Sequence, residues 1–338
     1  MTSSTLFSSP VKGRAYKSII PAVEVALLTI FAVVPFLVSE FWILFGTKIF
    51  ILGLLALSFD LVWGYAGIMS FGQALFFGVS GYAAALIATK LEITSLVILL
   101  PAAALLGLGL ALLVAAILIL GKRVPTLVFV AMGTLTGSYV VERLARGWSY
   151  VGGQNGISSL PRLTFSGKEI EEGIVFYYLA LALLVLVYLG LRYLVRSQFG
   201  LVLAGMRQQE QRIAFLGYRI QHFKAIVFAL AGAIAGLAGA LYAFHEGFVG
   251  PGQIGPVQST QVVLYVLFGG VGTLIGALIG TGLLEYLNYV LSSYQRLWPI
   301  MLGILLLLVV MFRPTGLIGF LVSERERIGT FGRRKRSV

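Results

Sequence analysis

Carboxylates inside apolar stretches are the first residues of this sequence that could do chemistry. Glu24, Asp60 and Glu285 each lie in or near a long run of apolar residues. A charge within a bilayer is costly to desolvate, so each is a functional candidate by default. Asp60 stands four residues before Gly64, close to the end of its run. A capped or solvated carboxylate and a residue of a transmembrane pathway both remain open for Asp60, and Glu285 could likewise lie at a helix end.

Other kinds of chemistry have few residues to carry them. The sequence contains no cysteine, which excludes disulfides, thiolate metal sites and a cysteine nucleophile. His222 and His245 fall in predicted loops on opposite faces, and each is expected to be a surface histidine. Neither H-E-x-x-H nor G-x-x-x-x-G-K-[ST] occurs, since the run 121–123 lacks both the upstream glycine and the hydroxyl residue. A membrane-embedded enzyme is therefore the last-ranked class, and we expect no catalytic residue, metal or cofactor on this chain.

The segment 199–217 combines apolar residues near helical spacing with charged and amide side chains between them. Its apolar positions are Val202, Met206, Ile213 and Leu216. Gly217 can end such a helix because glycine tolerates a positive φ. A short amphipathic helix of this kind either docks in a groove of a soluble partner or lies on the lipid surface, and the pattern alone favours neither.

The composition requires a membrane to hold these segments. Of the 338 residues, 59% are hydrophobic and only 11% are charged, far below the roughly 25% charged residues usual in soluble domains. A helix needs about 20 apolar residues to cross the hydrocarbon core. We therefore predict an all-α polytopic bundle of about 8–10 transmembrane helices, some of them broken at glycines. The predicted spans are 19–38, 47–64, 67–89, 93–120, 124–142, 174–195, 223–243, a glycine-broken pair over 259–292, and 297–312.

The distribution of basic residues predicts the orientation of the bundle. With the N-terminus inside, 18 of the 25 Lys and Arg residues fall on one face, so the positive-inside rule predicts that both termini are cytoplasmic. The organisation is then a cytoplasmic tail 1–18, a transmembrane domain 19–320 with an outer loop 143–173, and a basic cytoplasmic tail 321–338. Topology or lipid contact accounts for that tail better than nucleic acid, and the first span is expected to be a retained helix rather than a cleaved signal peptide.

Glycine has two roles in this sequence. Gly232 and Gly236, and likewise Gly272, Gly276 and Gly280, are spaced four apart and predict helix faces that approach neighbouring backbones closely, which we prefer to a pathway lining. The clustered glycines in 64–67 and 269–272 instead permit broken helices. Breaks at membrane depth occur only where protein or an aqueous cavity satisfies the freed backbone groups, so they mark a translocation site unless they are ordinary tight loops.

Four stretches, in order, resemble the permease subunits (M-type) of the branched-chain, or hydrophobic, amino-acid ABC importer family, which includes urea and short-chain amide permeases. Residues 61–74 (LVWGYAGIMSFGQA) resemble the family stretch GYAGLLSLGHA, and 152–157 (GGQNGI) resemble its GGxNG segment. Residues 199–217 resemble the ATPase-coupling loop, and 235–242 with 268–276 match the C-terminal half. The sequence departs from the family at Gln73, where histidine is usual, and at Arg212 and Ile213, where an acidic residue and alanine are usual.

The resemblance implies a passive permease of the bacterial inner membrane. The implied partners are a second, homologous permease subunit in a heterodimer, two cytoplasmic ATP-binding subunits that hold ATP and Mg²⁺, a periplasmic substrate-binding protein and membrane lipid, with no nucleic acid. It implies that the ATPase-coupling residues are Arg207, Glu210, Ala214 and Gly217. Its pathway candidates are Asp60, Tyr65, Ser70, Gln73 and Asn155, and Asn155 could instead contact the binding protein.

The implied substrate is a branched-chain amino acid, with urea or a short-chain amide as the alternative. An ion-coupled secondary transporter is the competing mechanism. It would need carboxylates near the membrane centre to carry the coupling ion, and Asp60 and Glu285 are poorly placed for this in the sequence.

Overall fold

The computed structural model describes residues 28–121, 127–165, 167–292 and Gly303. Helices account for most of these residues. They are α1 (described over 28–33), α2 (Glu40–Phe59), α3 (Gln73–Lys90), α4 (Leu96–Leu118), α5 (Leu127–Gly147), α6 (Ile174–Arg196), α7 (Gln198–Gln208), α8 (Glu210–Phe215), α9 (Ile220–Glu246), α10 (Pro256–Gly269) and α11 (Leu274–Ser292). A π-helical segment, Asp60–Tyr65, continues α2, and 3-10 turns cover Val34–Phe36, Ser149–Val151, Gly153–Asn155 and Pro251–Gln253.

Five helices of the described part are long and apolar enough to cross a membrane, which confirms an all-α polytopic bundle. They are Glu40–Tyr65, Leu96–Leu118, Ile174–Arg196, Ile220–Glu246 and Leu274–Leu291. The predicted pair over 259–292 is the α10–α11 hairpin. The predicted span 67–89 differs from the structure, because the chain leaves the helix after the π-helical segment and α3 begins only at Gln73. Glu24, Lys122, Arg123, the tails 1–18 and 321–338 and, except for Gly303, the span 297–312 lie outside the described residues.

Glycine packing places α9 at the centre of the bundle, between α3 and α4. Gly232 and Gly236 face Gly107 of α4 so closely that a Cβ on Gly107 would overlap the carbonyl oxygen of Gly232. On the α3 side, a Cβ on Gly81 would stand 2.9 Å from the carbonyl oxygen of Gly239. Apolar helices gain little hydrophobic energy by leaving lipid, so close backbone contact of this kind supplies their attraction. The spacing therefore corresponds here to helix packing.

The α10–α11 hairpin is also closed by glycine, with one difference from the predicted face. Gly276 and Gly280 face Gly269 and the carbonyl oxygen of Tyr265 on α10. Gly272 lies in the break before α11, with φ +77°, so it is not part of that helix face. Glu285 lies inside α11 rather than at its end, and it accepts a hydrogen bond from the Tyr265 hydroxyl.

Short β pairs organise one end of the bundle, which we call the loop end. β1 (Ile157–Ser158) pairs antiparallel with β4 (Phe248–Val249), which directly follows α9. β2 (Thr164–Phe165) pairs antiparallel with β3 (Lys168–Glu169) within the predicted outer loop. The helices α7 and α8 lie at the opposite end, which we call the α7–α8 end. The β1–β4 pair fixes the predicted outer loop to the end of α9.

The glycine contact between α4 and α9 can be tested with two valine substitutions on the same helix. Gly107→Val should lower the melting temperature of the purified protein strongly, because overpacking of a tight site costs typically about 1–3 kcal/mol and here the obstacle is backbone. Gly109→Val is the matched control, since a Cβ at Gly109 meets nothing within 4 Å. Equal melting temperatures for the two variants, measured in the same detergent, would contradict the packing.

Candidate functional site

Two chain breaks meet at the α7–α8 end of the bundle. The first comprises the π-helical segment Asp60–Tyr65 and the non-helical residues 66–72 that lead to α3. The second comprises residues 270–273 between α10 and α11. Each break needs a glycine in the left-handed region, with φ +72° at Gly67 and +77° at Gly272. We refer to them as the first break (60–72) and the second break (270–273).

Asp60 joins the two breaks. Its side chain is fully buried, and its Oδ1 accepts a hydrogen bond from the backbone N–H of Gly272 at 2.7 Å. Its Oδ2 has no hydrogen-bond partner among the described residues. A Cβ on Gly64 would overlap the Asp60 carboxylate and would stand 2.6 Å from the nitrogen of Gly272. Glycine at this position therefore lets the second break approach the first closely enough for the carboxylate to reach it.

Arg207, in the last turn of α7, contacts both breaks. Its Nη1 donates a hydrogen bond to the carbonyl oxygen of Gly64. A Cβ on Gly67 would stand 3.1 Å from the Arg207 Cγ, and one on Gly272 would stand 2.8 Å from its Nη1. The side chain that the sequence suggests for ATPase contact therefore reaches back into the membrane domain.

Glu210 also points back into the bundle. Its Oε1 lies 2.6 Å from the Nζ of Lys224 in α9, where the Lys224 side chain is almost entirely buried. The ion pair fastens α8 to the first turns of α9. Arg207 and Glu210 thus form the inner side of the α7–α8 segment.

The outer side of the same segment is apolar and exposed. Phe215 is 90% exposed, Leu216 is 70% exposed and Tyr218 is 44% exposed, which is unusual for three large apolar residues so close in sequence. Gly217 connects them with φ +88°, as the sequence predicts for the end of this segment. Ala214 is exposed beside them. The structure also divides the segment predicted as one helix, because Gln209 has an extended backbone between α7 and α8.

Four of the five predicted pathway residues lie together along the first break and the start of α3. Asp60, Tyr65, Ser70 and Gln73 are all buried. Ser70 Oγ accepts a hydrogen bond from the backbone N–H of Gly72, whereas both amide atoms of Gln73 are without a hydrogen-bond partner in the described part of the chain. Asn155 is exposed in a 3-10 turn at the loop end, so the structure does not bring it to the other four.

A polar stripe on α5 was missed by the sequence reasoning. The Oγ1 of Thr134 accepts a hydrogen bond from the N–H of Phe71 at 3.0 Å, and the Ser138 hydroxyl donates to the carbonyl oxygen of Ile254. Ser259 at the start of α10 donates to the carbonyl oxygen of Phe71 at 2.6 Å. Thr134, Ser138 and Glu142 are spaced four apart in an apolar stretch, and this was the available signal. They fasten α5 to the first break and to the loop before α10.

An apolar groove of about 760 Å³ lies between α3 and α5 towards the loop end. It is lined mainly by aliphatic residues, and Tyr82 and Arg143 are also among its lining residues. The aliphatic contributors from α3 and α5 include Val79, Leu86, Val141 and Leu144. The Tyr82 hydroxyl is buried without a hydrogen-bond partner among the residues that the structure describes. Within that same part of the chain, no three His, Cys, Asp or Glu side chains are grouped to hold a metal ion.

Comparison with known proteins agrees with this architecture. Residues 42–310 match the family model described as "Branched-chain amino acid transport system / permease component". The LivM permease protein of the high-affinity branched-chain amino acid transport system of Escherichia coli is 29% identical over 89% of this chain and 78% of its own length. The probable LivM of Methanocaldococcus jannaschii is 27% identical over 78% of this chain and 89% of its own length.

A more distant relative, the autoinducer 2 import system permease protein LsrC of an Enterobacter strain, is 29% identical over 53% of this chain and 51% of its own length. No solved structure matches the chain significantly. Because the family model covers most of the sequence, including both breaks and the α7–α8 segment, the chain belongs to the family of branched-chain amino acid transport system permease components.

Proposed function

We propose that this chain is a transmembrane permease subunit of an ABC importer and forms the pathway for branched-chain amino acids. The observation that carries the proposal is the two-sided α7–α8 segment. It presents an apolar surface at one end of the bundle, and its inner side contacts two broken helices. A passive transport subunit needs this arrangement, because the energy must enter from a separate protein and reach the pathway.

The assignment of substrate rests on the relatives and agrees with the apolar groove. The LivM proteins are named for branched-chain amino acid transport, whereas LsrC is named for autoinducer 2 import. Neither the LivM proteins nor LsrC is named for urea or amide transport. The groove between α3 and α5 presents aliphatic side chains, which suit the side chain of leucine, isoleucine or valine better than urea.

The pathway would follow the first break. Ser70 and Gln73 lie on the non-helical stretch and at the start of α3, and the unpartnered amide of Gln73 supports contact with water or with a polar group of the solute. Asp60 and Tyr65 stand at its α7–α8 end. Asn155, which is exposed at the loop end, is better placed to contact a substrate-binding protein than to line the pathway.

The docking surface for the ATPase would be the exposed corner Phe215, Leu216 and Tyr218, with Ala214 and Gly217 between them. Tyr218 packs edge-on against Phe223 of α9. Phe223 in turn stacks on Phe199 of α7, with 5.2 Å between the ring centroids, so aromatic packing attaches the corner to α7 and α9. The ATPase subunits would hold ATP and Mg²⁺, and this chain would hold no cofactor. On this proposal the α7–α8 end faces the cytoplasm, and a second permease and a binding protein complete the importer.

The ATPases would act by binding one conformation of the permease better than the other. A ligand shifts a conformational equilibrium only by its difference in affinity for the two states. An ATPase dimer that contacts the corner only in its ATP-bound arrangement supplies such a difference, because the corner moves together with the inner side of the segment.

Truncation of the corner should weaken ATPase binding. Each large apolar side chain contributes about 1.5–3 kcal/mol when buried, so Phe215→Ala with Leu216→Ala should cost up to about 3–6 kcal/mol, or roughly 10²- to 10⁴-fold in the dissociation constant. The measurement is titration of the purified permease in nanodiscs with the ATPase subunit. Leu186→Ala on α6, where Leu186 is also exposed, is the matched control and should bind like the unmodified protein. Equal affinity of both variants would contradict the docking surface.

Substitution of Gly217 should affect transport through its backbone conformation rather than through contacts of the new side chain. A Cβ there meets nothing within 4 Å, but φ is +88°, so Gly217→Val acts through the left-handed conformation at a cost of about 1–2 kcal/mol. Transport and substrate-stimulated ATP hydrolysis should fall by roughly 5- to 30-fold while membrane insertion is unchanged. Asparagine tolerates this conformation, so Gly217→Asn should retain most of the activity. Valine and asparagine variants with the same transport rate would contradict this account.

The transport mechanism can be decided in proteoliposomes. The permease pair reconstituted with its ATPases and loaded binding protein should accumulate leucine, isoleucine or valine only when ATP is hydrolysed, whereas urea and short-chain amides should not be accumulated. The control is this chain alone under a proton or sodium gradient. Robust accumulation in that control would instead establish an ion-coupled transporter, and ATP-dependent uptake of urea would overturn the choice of substrate.

A further inference from the structure

We propose that Arg207 and Asp60 form a transmission link that makes the two chain breaks move together with the α7–α8 segment. The proposal rests on the permease function proposed above and goes beyond it, because it assigns the step between ATPase docking and pathway opening to particular residues. It also gives Arg207 a role inside the membrane domain rather than in contact with the ATPase.

The link begins at the surface segment. The Arg207 side chain of α7 reaches the breaks through the hydrogen bond from Nη1 to the Gly64 carbonyl and through contact with Gly67 and Gly272. The Gly64 carbonyl belongs to the π-helical segment, where the helical hydrogen-bond pattern is interrupted. Because the regular helical hydrogen bonds are already interrupted here, the Gly64 carbonyl can accept a hydrogen bond from another element without breaking an α-helical one. Arg207 supplies a charged donor whose planar guanidinium carries several N–H groups.

The link continues from the first break to the second. Asp60 lies one helical turn before Gly64, and its Oδ1 accepts the Gly272 N–H at 2.7 Å. The Arg207 guanidinium lies beside Gly272, the same residue whose backbone N–H Asp60 binds. The contacts therefore run from α7 through Arg207 to Gly64, and from Asp60 to the loop between α10 and α11.

The packing between the two breaks and Arg207 leaves no room for one of them to move without the others. No Cβ fits on Gly64 between the Asp60 carboxylate and the Gly272 nitrogen, and one on Gly272 would press on Arg207. Closely packed elements of this kind shift between discrete arrangements rather than deform separately. A displacement of α7 should therefore displace both breaks in one step.

Two other polar contacts at the same end join α8 to α9 and α9 to the end of α4, without involving either break. Glu210 holds α8 to Lys224 of α9. Gln221 of α9 donates to the Gly121 carbonyl after α4, at 3.0 Å. The Gln221 contact is therefore a suitable control, because its loss perturbs the same end of the bundle without touching the first or the second break.

The test compares variants of the assembled importer in proteoliposomes. Arg207→Ala should retain ATPase binding within about twofold, while substrate-stimulated hydrolysis and transport fall within the roughly 5- to 150-fold range of coupling between sites. Arg207→Lys keeps a donor for Gly64 without the planar fork, so it should recover part of the transport. Gln221→Ala should transport like the unmodified importer. An Arg207→Ala importer that transports normally would overturn the proposal.

A second pair of variants separates a mechanical role of Asp60 from a charge-carrying one. Asp60→Asn keeps an oxygen for the Gly272 N–H and should retain transport within about threefold, whereas Asp60→Ala should lose it to the same extent as Arg207→Ala. Loss of transport in Asp60→Asn would overturn the link, since the charge and not the hydrogen bond would then be essential. If the Arg207→Ala importer fails to assemble, the comparison of Asp60→Asn with Asp60→Ala tests the link in its place.

A conformational readout distinguishes transmission from mere stability. The chain has no cysteine, so Ser70→Cys introduces a single thiol on the first break. Its rate of modification by a water-soluble maleimide should differ between the nucleotide-free and ATP-trapped importer, and Arg207→Ala should abolish that difference. A difference that persists in Arg207→Ala would overturn the link. An unmodified importer that shows no ATP-driven transport at all would instead refute the proposed function, so the two failures are distinguishable.

Discussion

The hydrogen bond between the Asp60 carboxylate and the Gly272 N–H is the interaction on which the arrangement of this permease depends. A backbone N–H that leaves a helix within a bilayer has no water to bond, so it needs a partner from the protein. Asp60 supplies that partner from another helix and is itself fully buried. The two breaks are therefore stable only when they are together, and their positions fix the courses of α2, α3, α10 and α11.

The surface segment is built on the same principle, with polar contacts on one side and apolar residues on the other. Arg207 and Glu210 satisfy groups inside the domain, whereas Phe215 and Leu216 remain exposed. Loss of one partner of a buried ion pair such as Glu210–Lys224 typically costs about 3–5 kcal/mol, and less here because Glu210 is partly exposed. The inner contacts thus attach the segment to the bundle, and its exposed apolar residues are available to a partner protein.

The remainder of the bundle forms a closely packed frame around the two breaks and the α7–α8 segment. The backbone contacts of Gly107 with Gly232 and Gly236 hold α4 against α9, and the stripe Thr134 and Ser138 holds α5 against both the first break and the loop before α10. Dispersion between close backbones and interhelical hydrogen bonds are the attractions available between helices in lipid. These contacts hold α4, α5 and α9 in place beside the two breaks.

The sequence by itself determined the class of fold, the helix faces that carry glycine, the end of the α7–α8 segment at Gly217 and the family. These properties depend on composition and local spacing, which a single chain segment contains in full. The tertiary structure decided that Asp60 pairs with Gly272, that Gly272 lies in a break rather than on a helix face, and that Arg207 points inward. Residues 60, 207 and 272 are far apart in the chain, and only the packing of α2, α7 and the α10–α11 loop brings their polar groups within bonding distance.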